Sequence, residues 1–450
     1  GALGHTAGQL LEMGKALRGK DQPYYAGGKI DVEAYDVEFS QIRDLAYDNT
    51  VEDKLALADR VIELADKYFV ATAKILGDMA PLFGLETIEN KNEAEQQAQA
   101  EVVSGVTTKE ETVLHCTVLR EDLPKAIDLL MELAFTSVFP QKELEKERDV
   151  IIEEIVSYKD VPADAIYEHF EQLLFEGHPL QMQILGEKKT LKKINSQIMQ
   201  EYNRRFFTPS NMVFTVVGAA SKRKVVELVK KSAAKYYGES IGLEIIEEGM
   251  PSNRPSLLNP DNTLPDAPPF HKVAGKKSHQ GHCIVGCRAY STYTGKRIQL
   301  SLLTNILGGP ASGSRLNMSL REKHGLVYNV EAVYTPYSDT GIFSIYFGCD
   351  KEDIDKCLGL IKKELDKLVE TPLSPAALKA AKKQLIGQLS IAQDNAEAQC
   401  LSMGKSLLVY GKISSFEQMR QKIESITAQE LQEVAREILS WDRMSTLIYN

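Results

Sequence analysis

The chain has 450 residues, of which 43% are hydrophobic and 26% are charged, and its formal net charge is −10. This composition is typical of soluble globular proteins with two or three domains, and the acidic balance and the lack of a long apolar run argue against nucleic-acid binding and membrane insertion. The six irregularly spaced cysteines do not form a disulfide framework and the first residues lack a signal-peptide pattern, so we expect a cytoplasmic location.

Residues 1–98 predict a helical, loop-rich segment that carries no chemical motif. Apolar residues recur from Leu55 to Phe69 at steps of three and four, which is typical of one face of a helix. The run 90–101 is polar, and we expect it to be solvated. We therefore treat 1–98 as an unassigned, mostly helical segment.

From about residue 99 the pattern changes to strands and helices. Strands are predicted at 112–119 and, from the apolar run NMVFTVVG, at 211–218. Segment 240–278 holds six prolines and little periodicity, so we predict a linker between a first domain at 99–239 and a second domain at 279–450. Helices of the first domain are predicted at 122–135, 140–158, 163–175, 189–193, 195–206 and 221–236.

The second domain begins with a predicted strand at 281–290. A glycine loop at Gly308 and Gly309 leads into a helix that begins near Ser314 and ends at Gly325. Two strands, 326–333 and 341–347, follow around a Pro-Tyr-Ser-Asp turn. Further helices are predicted at 351–370, 374–394, 396–410, 414–424 and 427–438, before a last strand at 444–449.

The two sides of the predicted linker repeat each other. The segments that begin at residues 120, 139 and 194 align with those that begin at residues 351, 372 and 426. A repeat of this length indicates two homologous sheet-plus-helices domains, and hence an α+β fold. The block from the glycine loop to the second strand has no counterpart in the first half, where 73–98 shows neither a glycine loop nor a strand pair.

The two halves of the repeat differ at two positions where only the first half has carboxylates. Glu147 and Glu154 lie two turns apart on the helix predicted at 140–158, whereas Ala381 and Gln388 stand at the aligned positions. Such a pair suits a metal ligand and a residue that supports it. The alternative is a solvated acidic face, because the same helix also carries Glu143, Glu145 and Glu153.

Several other sequence patterns do not fit a known zinc, phosphate-binding or nucleophile motif. The run HQGHCIVGC (279–287) alternates its ligand-type side chains across a predicted strand, so it cannot form a local tetrahedral zinc site. GGPASGSR (308–315) lacks the lysine of a phosphate-binding loop, and no G-x-S-x-G nucleophile motif is present. The sequence contains neither H-x-x-E-H nor H-E-x-x-H.

Arg321 and Tyr328 form the remaining pair of interest. The guanidinium offers a rigid set of donors and the phenol a hydroxyl on a rigid ring. Together they could hold a peptide carbonyl or a developing oxyanion. The alternative is structural: Arg321 would complement the dipole at the end of its helix, and Tyr328 would be a half-buried strand residue.

Six motifs follow one another along the chain: TTKEET (107–112), REDLPKAIDLL (120–130), ERDVIIEEI (147–155), FEGHPL (175–180), FFTPSNMV (206–213) and the block from Asn305 to Tyr328. Together they resemble the pitrilysin/insulinase metallopeptidases (the inverzincins), in the processing-peptidase-like bacterial two-domain form. The resemblance covers about residues 100–450. It implies two homologous α+β domains that close around an unfolded peptide, zinc as cofactor, Glu154 as a zinc ligand with Glu147 in support, and Arg321 with Tyr328 as the substrate-binding pair.

The chain departs from this family where the zinc histidines belong. By the repeat, H-x-x-E-H should lie near residue 73, where the sequence reads ATAKILGDM. We therefore expect a non-catalytic, substrate-binding member or subunit that does not bind zinc alone and acts as a homodimer or as a heterodimer with a zinc-bearing relative. One alternative is a structural or peptide-binding protein with no catalytic role. Another is an active zinc endopeptidase whose N-terminal region is replaced or mis-assembled in this sequence.

Overall fold

The computed structural model describes residues 103–238, 268–276 and 278–450. They belong to one compact unit that runs from Val102 to Asn450. The predictions for 1–98 and for most of the proline-rich segment lie outside the described residues. None of the helices in the described ranges is long and apolar enough to cross a membrane.

The first half of this unit consists of a hairpin followed by helices. Strands β1 (Val103–Thr107) and β2 (Thr112–Cys116) pair in antiparallel fashion. The helices that follow lie close to the predicted ranges: α1 (Leu123–Phe135), α2 (Gln141–Asp160), α3 (Pro162–Leu174), α4 (Lys188–Leu191), α5 (Ser196–Phe206) and α6 (Lys222–Tyr237).

The second half is built on a five-stranded sheet of order β3-β7-β4-β6-β5. Strand β3 runs parallel to β7, and the other pairs are antiparallel, so β5 lies at an edge of the sheet. The strands are β3 (His271–Ala274), β4 (Gly281–Ala289), β5 (Val327–Pro336), β6 (Gly341–Cys349) and β7 (Ser445–Tyr449). The helices are α7 (Arg297–Gly308), α8 (Ile354–Glu370), α9 (Pro375–Ala392), α10 (Ala396–Tyr410), α11 (Phe416–Ser425) and α12 (Ala428–Ile438).

One face of this sheet carries the main hydrophobic core. Helix α8 presents Cys357, Ile361, Leu365 and Leu368 at steps of three and four, and all four side chains are buried. They pack with side chains of α7, α12 and the strands in a single cluster. The α+β class predicted from the sequence is confirmed by this arrangement of helices on a sheet.

The other face of the sheet is covered by a helix from the first half of the chain. Ile166, Phe170 and Leu174 recur every four residues along α3, and they are buried against Ile284 of β4 and Leu447 of β7. The first half therefore contributes directly to the core of the second. The proposed domain limits at 99–239 and 279–450 stay a prediction.

Two segments differ from the sequence-based predictions. The strand predicted at 211–218 is wrong: after a 3-10 turn at Pro209–Asn211, residues 212–217 form no ladder within the described part of the chain. An apolar run becomes a strand only where another strand is available to pair with its backbone. Within the segment predicted as linker, His271–Ala274 forms β3 beside β7.

The glycine loop is explained by packing. Gly308 is the last residue of α7, a helix that the sequence patterns did not predict. A Cβ at position 308 would lie 2.4 Å from the backbone nitrogen of Ala332 and 3.0 Å from the carbonyl carbon of Glu331. Glycine therefore allows the end of α7 to lie directly against the backbone of the edge strand β5.

Candidate functional site

Arg321 and Tyr328 lie on either side of one tight turn. Arg321 is in a π-helical turn, Asn317–Glu322, in place of the ordinary helix end that was predicted. Gly325 has a φ of 61° and its N–H donates to Arg321 O at 2.9 Å, so the chain reverses there, as predicted. Buried Leu320 and Val327 anchor the two arms of the turn. Both predicted residues are therefore brought to the same end of β5.

The Arg321 side chain is not needed to complete its helix. The carbonyl oxygens at the end of the π-helical turn already accept hydrogen bonds from Lys323 N, His324 Nδ1, Gly325 N and Leu326 N, at 2.6–3.1 Å. Arg321 itself is exposed, and its guanidinium has no hydrogen bond or ion pair within the described residues. This geometry leaves all its donors free for a ligand and weakens the helix-capping alternative.

Tyr328 is the extra residue of a β-bulge. Val327 pairs with Cys349 and Asn329 with Gly348, so Tyr328 has no partner of its own on β6. Its side chain is 58% exposed, contrary to the half-buried alternative. A bulge at a sheet edge turns a side chain away from the regular alternation. The bulge therefore presents Tyr328 at the surface rather than in the core.

The Tyr328 hydroxyl donates a hydrogen bond to Asp350 Oδ1 at 3.0 Å. Asp350 directly follows β6, which is the strand that pairs with β5. The hydrogen bond and the negative charge of Asp350 both raise the pKa of Tyr328, because they favour the protonated phenol. The phenol therefore keeps its proton at neutral pH. Asp350 was not predicted from the sequence, because a β-bulge does not produce a periodic pattern of residues from which the pairing could be inferred.

Glu147 and Glu154 both lie on α2, and both are exposed. Only Ile155 of this helix is buried, and neither glutamate forms a hydrogen bond or ion pair within the described residues. A zinc site needs three or four protein ligands, and the described part of the chain contains no group of three His, Cys, Asp or Glu side chains that could hold a metal. The described residues do not fit zinc, and the roles of Glu147 and Glu154 stay predictions.

The run 279–287 divides between the two faces of the sheet. Cys283 and Cys287 lie in the main core, where Cys287 Sγ is 3.3 Å from Ile438 O. His282 Nδ1 lies 3.0 Å from the Tyr346 hydroxyl, and burial lowers the pKa of His282. These are packing roles, which agrees with the alternation across the strand on which a local zinc site was rejected.

The TTKEET motif has a structural role that the sequence did not reveal. Lys109 Nζ lies 3.3 Å from Glu171 of α3 and donates to two carbonyl oxygens after that helix. Glu110 accepts the Ser338 N–H at 3.0 Å, and Glu111 pairs with Lys405 of α10 at 2.5 Å. The turn between β1 and β2 therefore ties the first half to the β5–β6 turn. In the sequence, this structural role was indicated only by three adjacent charged residues in a short turn.

Two family models match the chain, one on each side of residue 190. A model described as "Insulinase (Peptidase family M16)" matches residues 86–188, which include Glu147 and Glu154. A model described as "Peptidase M16 inactive domain" matches residues 193–385, which include Arg321, Tyr328 and Asp350. The matched residues agree with the resemblance carried by the sequence motifs.

The chain is also similar to bacterial proteins that are named uncharacterized zinc proteases. One, from Bacillus subtilis, is 28% identical over 351 residues, which is 77% of this chain and 80% of the relative. Another, from Streptomyces coelicolor, is 28% identical over 337 residues, or 75% of this chain and 71% of the relative. Both similarities extend across most of each protein.

Solved structures share the fold. A protease from Helicobacter pylori superposes with a TM-score of 0.68 at 17% identity and covers 81% of this chain and 86% of its own. A peptidase M16 inactive domain from Pseudomonas fluorescens superposes with a TM-score of 0.63 at 17% identity, covering 80% and 84%. At this identity the likeness concerns the fold.

Proposed function

The chain belongs to peptidase family M16, the insulinase family, and from this premise we propose that it binds extended peptides through Arg321 and Tyr328. In this proposal it does not cleave them alone. It acts as the substrate-holding member of a homodimer, or of a heterodimer with a zinc-bearing relative. The zinc that its relatives' names imply would come from that partner.

The observation that supports this proposal is the exposure of the pair at one end of an edge strand. Arg321 supplies donors that nothing in the described residues uses, and Tyr328 is exposed at the start of β5, after the Gly325 turn. A peptide backbone offers carbonyl oxygens and N–H groups that such side chains can bind. Neither side chain is required to complete a helix or to fill the core.

The lack of fit to zinc supports the proposal that the zinc comes from a partner. The family's H-x-x-E-H motif is missing from this sequence, and Glu154 stands on an exposed helix face, where it belongs to no group of three metal-ligand side chains among the described residues. A single carboxylate does not hold zinc at useful affinity. We therefore expect the reaction itself to require ligands from another polypeptide.

The test measures bound zinc and cleavage of a quenched fluorescent unfolded peptide. The full chain is assayed alone and mixed with a relative that bears H-x-x-E-H. We expect no stoichiometric zinc in the isolated chain, and cleavage only in the mixture. Arg321→Ala should reduce that cleavage about tenfold or more, because a charge-assisted hydrogen bond contributes about 1.5–3 kcal/mol. Lys323→Ala, an exposed cation in the same turn, is the matched control.

Each outcome separates the alternatives. Stoichiometric zinc and cleavage by the isolated chain would show an active endopeptidase and overturn the proposal. Peptide binding without cleavage in any mixture would favour a peptide-binding protein with no catalytic role. Equal activity of the Arg321→Ala and Lys323→Ala mixtures would remove Arg321 from the site.

A further inference from the structure

A polar cavity of about 600 Å³ is lined by the loop that follows α10 and by one face of α11, and we call it the α10–α11 cavity. Its volume is within the range of small-molecule binding pockets, roughly 300–1,000 Å³. The α11 residues that line it recur at helical spacing, so they share one side of that helix. The polar lining residues are Lys412, Ser414, Gln418, Gln421, Lys422 and Ser425. Two of them are cations and none is an acid.

The acidic residues of α11 are paired outside this cavity. Glu417 and Glu424 do not line it, and both form ion pairs with Arg420, at 3.6 Å and 2.9 Å. The side chains of Lys412 and Lys422 form no hydrogen bond or ion pair within the described part of the chain. The cavity therefore holds two positive charges without a counter-charge, although the formal net charge of the chain is −10.

The charges that act on Lys422 have the same sign as its own. Partial desolvation lowers the pKa of Lys422, and the positive charges of Lys412 and Arg297 lower it further. The Arg297 guanidinium lies 4.6 Å from the centre of the Tyr410 ring, at the end of α10. An anion in the cavity would relieve this repulsion, because it favours the charged form of each lysine.

The backbone holds the two lysines in place before a ligand binds. Lys412 lies between Gly411, which ends α10 in a left-handed conformation with a φ of 63°, and the buried Ile413. Lys422 directly precedes Ile423, which is buried on the opposite side of α11. Both cations are thus attached to anchored backbone, which lowers the entropic cost of binding a ligand between them.

Ser414 and Gln418 add neutral donors to the cavity. The Ser414 hydroxyl has no hydrogen-bond partner among the residues that the structure describes. Gln418 Oε1 accepts the Ser415 N–H at 3.0 Å, which leaves the amide N–H groups of Gln418 free. Gln421 donates to Glu417 at 3.2 Å and is already engaged. A ligand with several acceptor oxygens would therefore find a hydroxyl and an amide beside the two ammonium groups.

We propose that the α10–α11 cavity binds a small molecule that carries a phosphate group, held by Lys412 and Lys422. A phosphate monoester has a charge of about −1.5 to −2 at pH 7 and three strong acceptor oxygens. Two lysines balance this charge, and Ser414 and Gln418 can donate to the remaining oxygens. The site shares no residue with the Arg321–Tyr328 pair, so the inference does not rest on the proposed peptide-binding function.

The first test measures binding of inorganic phosphate to the full chain by isothermal titration calorimetry, in a phosphate-free buffer at constant ionic strength. We expect saturable binding at one site per chain. Lys412→Ala and Lys422→Ala should each weaken it about tenfold or more, as expected for the loss of one charge-assisted hydrogen bond. Lys363→Ala, at an exposed and unpaired lysine of α8, is the matched control and should leave the affinity unchanged.

The second test separates the charge of Lys422 from its packing. Lys422→Met keeps most of the length of the side chain but removes its charge, and it should weaken phosphate binding as much as Lys422→Ala does. Lys422→Arg keeps the charge and should retain most of the affinity. Ser414→Ala should weaken binding about threefold to tenfold, the range for one ordinary hydrogen bond.

A third titration uses succinate, a dianion whose charge is divided between two separated carboxylates. We expect it to bind at least about tenfold more weakly than phosphate. Equal binding of succinate would overturn the assignment to phosphate, and so would a loss in Lys363→Ala as large as that in the cavity variants. Absence of saturable phosphate binding to the native chain would also overturn it. Circular dichroism of each variant confirms that the fold is intact.

Discussion

The ring of Phe170 lies against the backbone of Gly286, where Phe170 Cε1 is 3.2 Å from the position that a Cβ of residue 286 would take. Phe170 belongs to α3 in the first half of the chain, and Gly286 belongs to the central part of β4 in the second. The sheet is thus covered on one face by helices of the second half and on the other by a helix from the first half of the chain.

Phe170→Ala tests this closure. Phe170 is 1% exposed, and truncation of a fully buried phenylalanine typically costs 3–5 kcal/mol of folding free energy. We expect a loss in that range in urea unfolding of the full chain. Leu119→Ala, at a side chain that is 68% exposed, should change stability by less than about 0.5 kcal/mol. Equal effects of the two changes would mean that α3 is not held on the sheet in solution.

Gly308→Ala should disturb the edge strand. The added methyl group would meet the Ala332 nitrogen at 2.4 Å, and this neighbour is backbone that cannot turn away. We expect a loss of about 1–3 kcal/mol, the usual cost of overpacking. Gly313→Ala, in the same loop but with open space around it, is the matched control. A Gly308→Ala protein as stable as the control would contradict the close packing of α7 on β5.

Stability should fall in mild acid because of buried His282. Burial lowers the folded-state pKa of His282 below its unfolded value of about 6.5. As the pH drops below about 6.5 the unfolded chain takes up a proton that the folded chain resists, so the stabilising contribution is present above this pH and is lost as the pH falls. Burial also lowers the pKa of His169, which contributes with the same sign.

Chemical denaturation between neutral pH and about pH 5 measures this effect. The free energy of unfolding should decline less steeply in His282→Gln than in the native chain, because glutamine can still bond to Tyr346 but does not titrate. An unchanged slope in His282→Gln would show that this imidazole charges freely in the folded state.

Apart from α7, which was missed, the longer helices of the described residues were predicted well from the sequence, because their signals are local. Helix α12, predicted at 427–438, spans Ala428–Ile438 and begins at a capping box of Thr427 and Glu430. Strands depend on partners, and the apolar run at 211–218 remained without a ladder in the described ranges. The local pattern therefore did not separate this run from a true strand such as β4.

The sequence pointed to individual residues of the candidate site, but not to the local backbone geometry that positions them. Arg321 and Tyr328 stood out through the resemblance, and Gly325 through its position after a helix. The π-helical turn and the β-bulge arise from packing against neighbouring elements, and neither leaves a sequence period. The bulge, not the alternation of β5, decides that Tyr328 is exposed and reaches Asp350.

Lys109→Met should destabilise the chain strongly, since it removes one partner from a shielded ion pair. The Lys109 side chain is 9% exposed and lies 3.3 Å from Glu171, which also accepts the Tyr337 hydroxyl at 2.9 Å. Breaking such a pair from one side typically costs 3–5 kcal/mol, because the remaining charge stays desolvated. Lys125→Met removes a 70% exposed lysine from its pair with Asp122 and should cost less than about 1 kcal/mol.

Both losses are measured by urea unfolding. Comparable small losses would show that the TTKEET turn is solvated in solution, whereas a large loss for Lys109 alone would establish this turn as the tie between the hairpin and α3.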